Sequence, residues 1–162
     1  MKKSILFVVA LVFAFILTGC GDSVSKPAKS SNEKEMECTV KTSNESYSIN
    51  STYTIYYEGD IVNKVYSKEE IKSSDESLLK NTKSTVEATY KEANKQYGGY
   101  NYSVKIDGDV LISEATIDYK KMDLEKYIKD TPAYSLYIDD DNNIIVDKLK
   151  QSYISMGATC TE

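Results

Sequence analysis

Beyond residue 35 the chain alternates apolar and polar side chains with a period of two, broken at intervals by turn residues. Met36 to Thr42 reads as a short strand carrying Cys38, and Ser43-Asn44-Glu45-Ser46 as the turn after it. Tyr47, Ile49, Tyr53, Ile55 and Tyr57 alternate with Ser48, Asn50, Thr52 and Thr54, the spacing of a strand buried on one face. Glu58-Gly59-Asp60 supplies a tight turn, and Asp60 to Tyr66 a third strand. The pattern predicts an antiparallel three-stranded meander.

The period then changes. Ser67-Lys68-Glu69-Glu70 and Ser73-Ser74-Asp75-Glu76 both match a capping box, in which a hydroxyl and an acid three residues on satisfy the first free amides of a helix. Leu79, Val86, Tyr90, Ala93 and Tyr97 fall on one helical face, and Gly98-Gly99 stops the helix. That stripe reads most simply as a face packed on the sheet. Tyr100, Tyr102, Val104 and Ile106 return to period two, Asp107-Gly108 marks a hairpin turn, and Val110 to Tyr119 is the returning strand. Asp123 caps a short helix with Leu124, Tyr127 and Ile128, ended by Thr131-Pro132. Tyr134 to Ile138 suits one more strand. Ile145, Leu149, Tyr153 and Met156 suit a last helix from Asn142 to Met156, with Gly157 as its stop. The expected architecture is α+β: meander, helix, hairpin and two C-terminal helices, with the helices on one face of a mostly antiparallel sheet.

The first 35 residues do not fit this pattern. Lys2 and Lys3 precede thirteen apolar residues, Ile5 to Leu17, too short for an ordinary membrane span and right for a signal-peptide core. The run ends in Leu17-Thr18-Gly19-Cys20, which has the form of a lipobox. Residues 1–19 therefore read as a signal peptide, and Cys20 as the thiol that accepts a diacylglyceryl group and becomes the mature N-terminus. One acyl chain holds a protein only marginally; at about 0.8 kcal/mol per buried methylene, two give a lasting anchor. The competing readings are a simple secretory signal with a chance cysteine, and an uncleaved membrane anchor. Gly21 to Glu35 is rich in Ser, Lys, Asn and Glu, with little to bury. Together with Cys20 it reads as a flexible tether, leaving 36–162 as a single domain.

Composition narrows the function. Taking the leader's two lysines from 20 basic and 25 acidic residues leaves a mature charge of -7, which argues against nucleic acid and against an anionic lipid surface. There is no His, Arg or Trp, and all three Phe lie in the leader, so tyrosine is the only aromatic of the domain. Tyrosine must therefore supply part of the core. Of the three cysteines, Cys20 is taken by lipid. Cys38 and Cys160, at opposite ends of an exported domain, read as a disulfide. Closing a loop of more than a hundred residues contributes about 4.7 kcal/mol in the chain-entropy model. The alternative is two free thiols in a reducing compartment. Two cysteines without histidine fall short of a zinc site.

Three clusters invite chemistry. Ser77-Leu78-Leu79-Lys80 has the S-x-x-K form of penicillin-recognising enzymes, but so do Ser23 to Lys26 and Ser31 to Lys34, and the S-D-N and K-T-G companions are missing. Asp139, Asp141 and Asn143 form an oxygen-rich cluster that could hold a cation. As an EF-hand the loop fails, with Ile144 where Gly is needed and Lys150 where Glu is needed. A turn leading into a helix N-terminus explains the same residues. Tyr97, Tyr100 and Tyr102 around two glycines could offer flat rings to a sugar or peptide, or simply fill the core. No pair of carboxylates stands out by spacing, and nothing in the chain asks for a cofactor.

Several segments together carry a resemblance: the lipobox, Tyr56-Tyr57-Glu58-Gly59-Asp60-Ile61-Val62-Asn63-Lys64-Val65, the run from Gly98 to Leu124, and Met156-Gly157-Ala158-Thr159-Cys160. They are similar to the YehR-like small lipoproteins over most of the mature chain. The resemblance implies a lipid-anchored α+β domain, and brings no catalytic or ligand residues with it. The resulting expectation is a non-enzymatic binding module on the extracytoplasmic face of the cell membrane, with an envelope protein, peptide or glycan as partner. A small-ligand carrier or transporter accessory subunit stands second, and a carboxylate-based envelope hydrolase third. An enclosed pocket would favour the second; two acids facing each other in a cleft would favour the third.

Overall fold

The computed structural model describes residues 24–162; the expected signal peptide, Cys20 and the first residues of the expected tether lie outside that range. Six strands form one sheet: β1 (Lys34–Ser43), β2 (Ser48–Glu58), β3 (Ile61–Lys72), β4 (Tyr100–Asp107), β5 (Val110–Asp118) and β6 (Thr159–Thr161). Their order is β4-β5-β3-β2-β1-β6, with every neighbouring pair antiparallel. Among the described residues three α-helices, α1 (Glu76–Tyr97), α2 (Leu124–Asp130) and α3 (Val146–Ser155), and a 3-10 turn (Pro132–Tyr137) complete the α+β fold. No helix among the described residues is long and apolar enough to cross a membrane.

The meander forms as its alternation dictates. Met36, Cys38, Tyr53, Ile55, Val65 and Ile117 share the inner face of the sheet and pack under α2, α3 and the 3-10 turn. Ile49, Ile71, Leu111 and Ala115 occupy the other half of that face, beneath Leu79, Val86 and Tyr90 of α1. The predicted helical stripe is thus core: Leu79, Val86, Tyr90, Ala93 and Tyr97 are all buried. Gly98 and Gly99 both take positive φ, and at Gly99 a Cβ would come within 2.6 Å of the Asp118 carbonyl oxygen. The helix can end against β5 only because that position has no side chain.

Three local expectations fail. Ser67-Lys68-Glu69-Glu70 is not a helix cap; β3 runs through it to Lys72, because these residues pair with β2 on one side and β5 on the other. Two ladders satisfy both backbone edges, where a cap would satisfy only a few amides. The helix starts later, with Asp75 as N-cap accepting from the Leu78 amide at 3.0 Å. The stretch Tyr134 to Ile138 is a 3-10 turn apart from an isolated bridge at Ile138. Pro132 at its first position has the fixed φ of a helical turn and no amide to offer a ladder. The last helix begins at Val146 instead of Asn142. Ile144 and Ile145 are held extended by Val62 N donating to Ile144 O at 2.8 Å and Ile145 N donating to Tyr137 O at 2.8 Å.

The segment expected to be a free tether is also organised. Lys34 and Glu35 are the first residues of β1. Val24 is buried against Tyr56 and Tyr66 on the outer face of the sheet. The Tyr56 hydroxyl donates to Pro27 O at 2.9 Å. A bulge in β3 opposite Tyr56 and Tyr57 leaves Asn63 as the extra residue, and its Nδ2 donates to Glu33 Oε1 at 3.1 Å. Lys64 Nζ reaches Glu33 Oε2 at 3.0 Å. Residues 24–33 are therefore strapped across the face opposite the helices. Beneath the other end, Cys38 and Cys160 stand directly opposite in the β1–β6 register and are disulfide-bonded.

Candidate functional site

The helices do not close completely on the sheet. A cavity of about 280 Å³ lies between the inner face of β3 and the layer formed by α1, α2, the 3-10 turn and α3. Its floor follows from strand register. Tyr53 of β2 stands opposite Ser67 of β3, and Ile117 of β5 opposite Val65 of β3. All four reach the cavity, because side chains two apart on a strand share a face. Tyr100, at the start of β4, and Tyr119, just past β5, line it from the open end of the hairpin.

The walls and roof come from four separate pieces of chain. Thr89 and Tyr90, one apart on α1, border one side. Tyr127 and Thr131 stand one turn apart at the end of α2, and Tyr134 and Tyr137 at helical spacing on the 3-10 turn. From α3 come Leu149, Ser152, Tyr153 and Met156, the i, i+3, i+4, i+7 stripe. Eight of the protein's fourteen tyrosines therefore face one space, and no Lys, Asp or Glu lines it.

The rings are set at defined angles. Tyr127 and Tyr134 meet edge to face with centroids 4.7 Å apart, as do Tyr134 and Tyr137 at 5.2 Å. Tyr53 and Tyr153 stack at 4.5 Å. Such geometries suit the ring quadrupole and hold each ring through its neighbours. The hydroxyls are tied as well: Tyr119 and Tyr134 share a hydrogen bond at 2.9 Å, and Ser152 Oγ donates to the Tyr137 hydroxyl at 3.1 Å. Thr131 Oγ1 is buried at the cavity wall with no hydrogen-bond partner among the described residues. Burial pushes the Tyr53, Tyr100, Tyr119 and Tyr153 phenols above their ordinary value. They are therefore neutral hydroxyls, able to donate and accept, and poor nucleophiles.

One acidic side chain lies directly beside the floor. Glu69 stands between Ser51 of β2 and Ser113 of β5 in the next row of the sheet, 7% exposed. It accepts from the Tyr53 hydroxyl at 3.1 Å and from Ser51 Oγ at 3.2 Å, both to Oε1. Burial pushes its carboxyl above the ordinary carboxylate range, and the two hydroxyls only partly offset this. Glu69 was read from the sequence as part of a capping box. The signal for its true place was available: Val65, Ser67, Glu69 and Ile71 continue the period-two inward positions of β3.

The residues singled out beforehand have different fates. Tyr97 and Tyr102 are buried, the first edge-on to Tyr127 and the second stacked on Tyr90, while Tyr100 lines the cavity. None of the fourteen tyrosines is exposed: Tyr100, Tyr134, Tyr137 and Tyr153 are half-buried and the other ten are buried. Asp139, Asp141 and Asn143 form a turn. Asp139 Oδ1 accepts from the amides of Asp141 and Asn143, and Oδ2 from Asn143 Nδ2 at 3.1 Å. Those bonds, with the Asn143 side chain first, hold the Asp139 carboxyl below its usual range. Its oxygens are thus spent on the turn, and no group of three metal-ligating side chains gathers among the described residues. Ser77 and Lys80 lie on the exposed side of α1, where Lys80 pairs with Glu76.

No family model and no curated protein matches the chain. Among solved structures, the chain is similar to the NMR structure of a protein from Streptococcus pneumoniae TIGR4, with a TM-score of 0.50 and 16% identity over 89% of this chain and 94% of that one. The likeness establishes a shared fold.

Proposed function

We propose that this chain is a lipid-anchored, extracytoplasmic binding protein that takes a small ligand into the tyrosine-lined cavity. The observation that carries the reading is the cavity itself: about 280 Å³, walled by neutral aromatic side chains with hydroxyl tips, and edged by the unpartnered Thr131 hydroxyl. Apolar walls with a few placed polar groups are the usual make-up of a small-molecule site. The reading is a carrier or accessory receptor more than a displayed interaction surface, because the tyrosines are turned inward. It is non-enzymatic: the walls offer neither a base nor an activated nucleophile.

The lipobox at Cys20 and the resemblance to YehR-like lipoproteins support the address. The strap adds a geometric consequence. Val24 is already packed on the outer face, four residues after Cys20. A diacylated Cys20 would hold the folded part within about 14 Å of its lipid, at about 3.5 Å per extended residue. The mass of the native N-terminus tests the anchor: an acylated Cys20 supports it, and an intact leader or a bare amine overturns it. Saturation-transfer NMR on the mature lipoprotein in nanodiscs, with a mixture of small aromatic and aliphatic alcohols, tests the cavity. The expected result is a set of bound fragments that Ser152→Phe, which fills the space from α3, displaces. No bound fragment, or binding indifferent to Ser152→Phe, would overturn it.

A further inference from the structure

We infer that the ligand of this cavity is a small organic cation, held among tyrosine rings with Glu69 behind them as its counter-charge. The inference rests on the cavity being the ligand site.

Its first support is the character of the walls. Tyrosine faces are electron-rich and attract ammonium groups, and rings set at right angles are how a box around a cation is built. The end of α2 and the 3-10 turn supply such corners, with Tyr127, Tyr134 and Tyr137 at successive interplanar angles of 75° and 84°. The protein already makes this contact elsewhere: Lys64 Nζ lies 4.8 Å from the Tyr56 ring centroid, and Lys126 Nζ 5.5 Å from that of Tyr97. No lysine enters the cavity to occupy the rings from within.

The second support is independent of the rings. Glu69 is buried on the sheet and takes part in none of the ion pairs found among the described residues. The hydrogen bonds it accepts come from the neutral hydroxyls of Ser51 and Tyr53. A carboxylate kept charged at this depth needs a cation beside it, and without one the carboxyl takes up a proton, so a cationic guest would draw Glu69 into its charged form. Tyr53 touches both Glu69 and the cavity, so a cation there lies one phenol away from the acid. An anionic guest would meet the same acid with no lysine to offset it. A neutral guest would leave the acid without a use.

Calorimetric titration of the mature lipoprotein in nanodiscs with tetramethylammonium and with tert-butanol, a neutral near-isostere, tests this. Tetramethylammonium is expected to bind at least tenfold more tightly than tert-butanol. Glu69→Gln, which keeps the acceptor for Tyr53, is expected to weaken tetramethylammonium at least tenfold and to leave tert-butanol unchanged. Tyr134→Leu, which removes one ring and leaves the acid alone, is expected to weaken the cation several-fold, so the test stands even if Glu69→Gln does not fold. Equal binding of the two probes, or a cation affinity untouched by either variant, overturns the cation and keeps the cavity. Binding of neither probe overturns both.

Discussion

Cys38 and Cys160 are 122 residues apart and join the two ends of the domain, so breaking their bond frees nearly the whole folded chain. Closing a loop of that length removes about 16 cal/mol/K from the unfolded ensemble, or about 5 kcal/mol at 25 °C. Unfolding entropy near the midpoint is about 2.1 cal/mol/K per residue, which gives about 0.3 kcal/mol/K for a domain of this size. The expected fall in Tm is therefore about 15 °C. The perturbation is Cys38→Ala with Cys160→Ala, preferred to chemical reduction because Cys38 is fully buried and a reductant reaches it slowly. Alanine leaves no buried hydroxyl behind. Each single variant should cost as much as the pair, since either one breaks the same link. The loss is also local. β6 is only three residues long and hangs on β1 through this bond, and it follows α3, which carries Tyr153 and Met156 into the cavity wall. Thermal melts by circular dichroism measure the midpoint, and hydrogen exchange along α3 measures the local effect. A double variant that melts within about 3 °C of the parent would refute the loop argument.

Three further outcomes follow from named positions. Burial alone would raise the Glu33 carboxyl, but the Ser30 amide, Lys64 and Asn63 outweigh it and hold it at about 2 against an ordinary 4.5. Its folded value lies below its unfolded value, so its contribution is present above the ordinary carboxylate range and is lost as pH falls toward 2. That contribution is about 3 kcal/mol, and urea melts of Glu33→Gln should lack this acid slope. Glu69 has the opposite sign. Its folded carboxyl binds a proton more strongly than the unfolded one, so stability declines as pH rises above the ordinary carboxylate range, and Glu69→Gln should flatten that decline in the same melts. Gly99→Ala should cost about 2 kcal/mol or more, from positive φ and the contact with Asp118 O, whereas Gly108→Ala, at positive φ in open space, should cost about 1 kcal/mol. Equal losses at the two glycines in chemical denaturation would show that the contact at Gly99 does not matter.

Much of the fold was legible because it is written locally. The alternation from Tyr47 to Tyr57, the Asp107-Gly108 turn, the stripe from Leu79 to Tyr97 and the stop at Gly98-Gly99 each need only a short window of chain. The cysteine pair was legible by counting, since Cys20 stands in a lipobox pattern and the two remaining thiols have one pairing to make. Where prediction failed, two local signals competed. Ser67 to Glu70 satisfies a capping rule as well as a strand register, and only the partners on β2 and β5 decide between them. Tyr134 to Ile138 satisfies a strand pattern, and Pro132 at the head of the segment, with its fixed φ and no amide for a ladder, turns it into a 3-10 helix instead.

What the sequence determined by itself is therefore the alternation of the meander and hairpin and the supply of tyrosine as the only aromatic beyond residue 20, beside an expected export signal with its candidate lipid attachment. These depend on residue types and short spacings. Tertiary structure alone decided that eight tyrosines from separate segments converge on one cavity, that Glu69 sits beside its floor in no ion pair among the described residues, and that residues 24–33 bind the outer face. Burial and ring contacts are set by which strands and helices meet across the core, and that meeting joins residues many tens of positions apart.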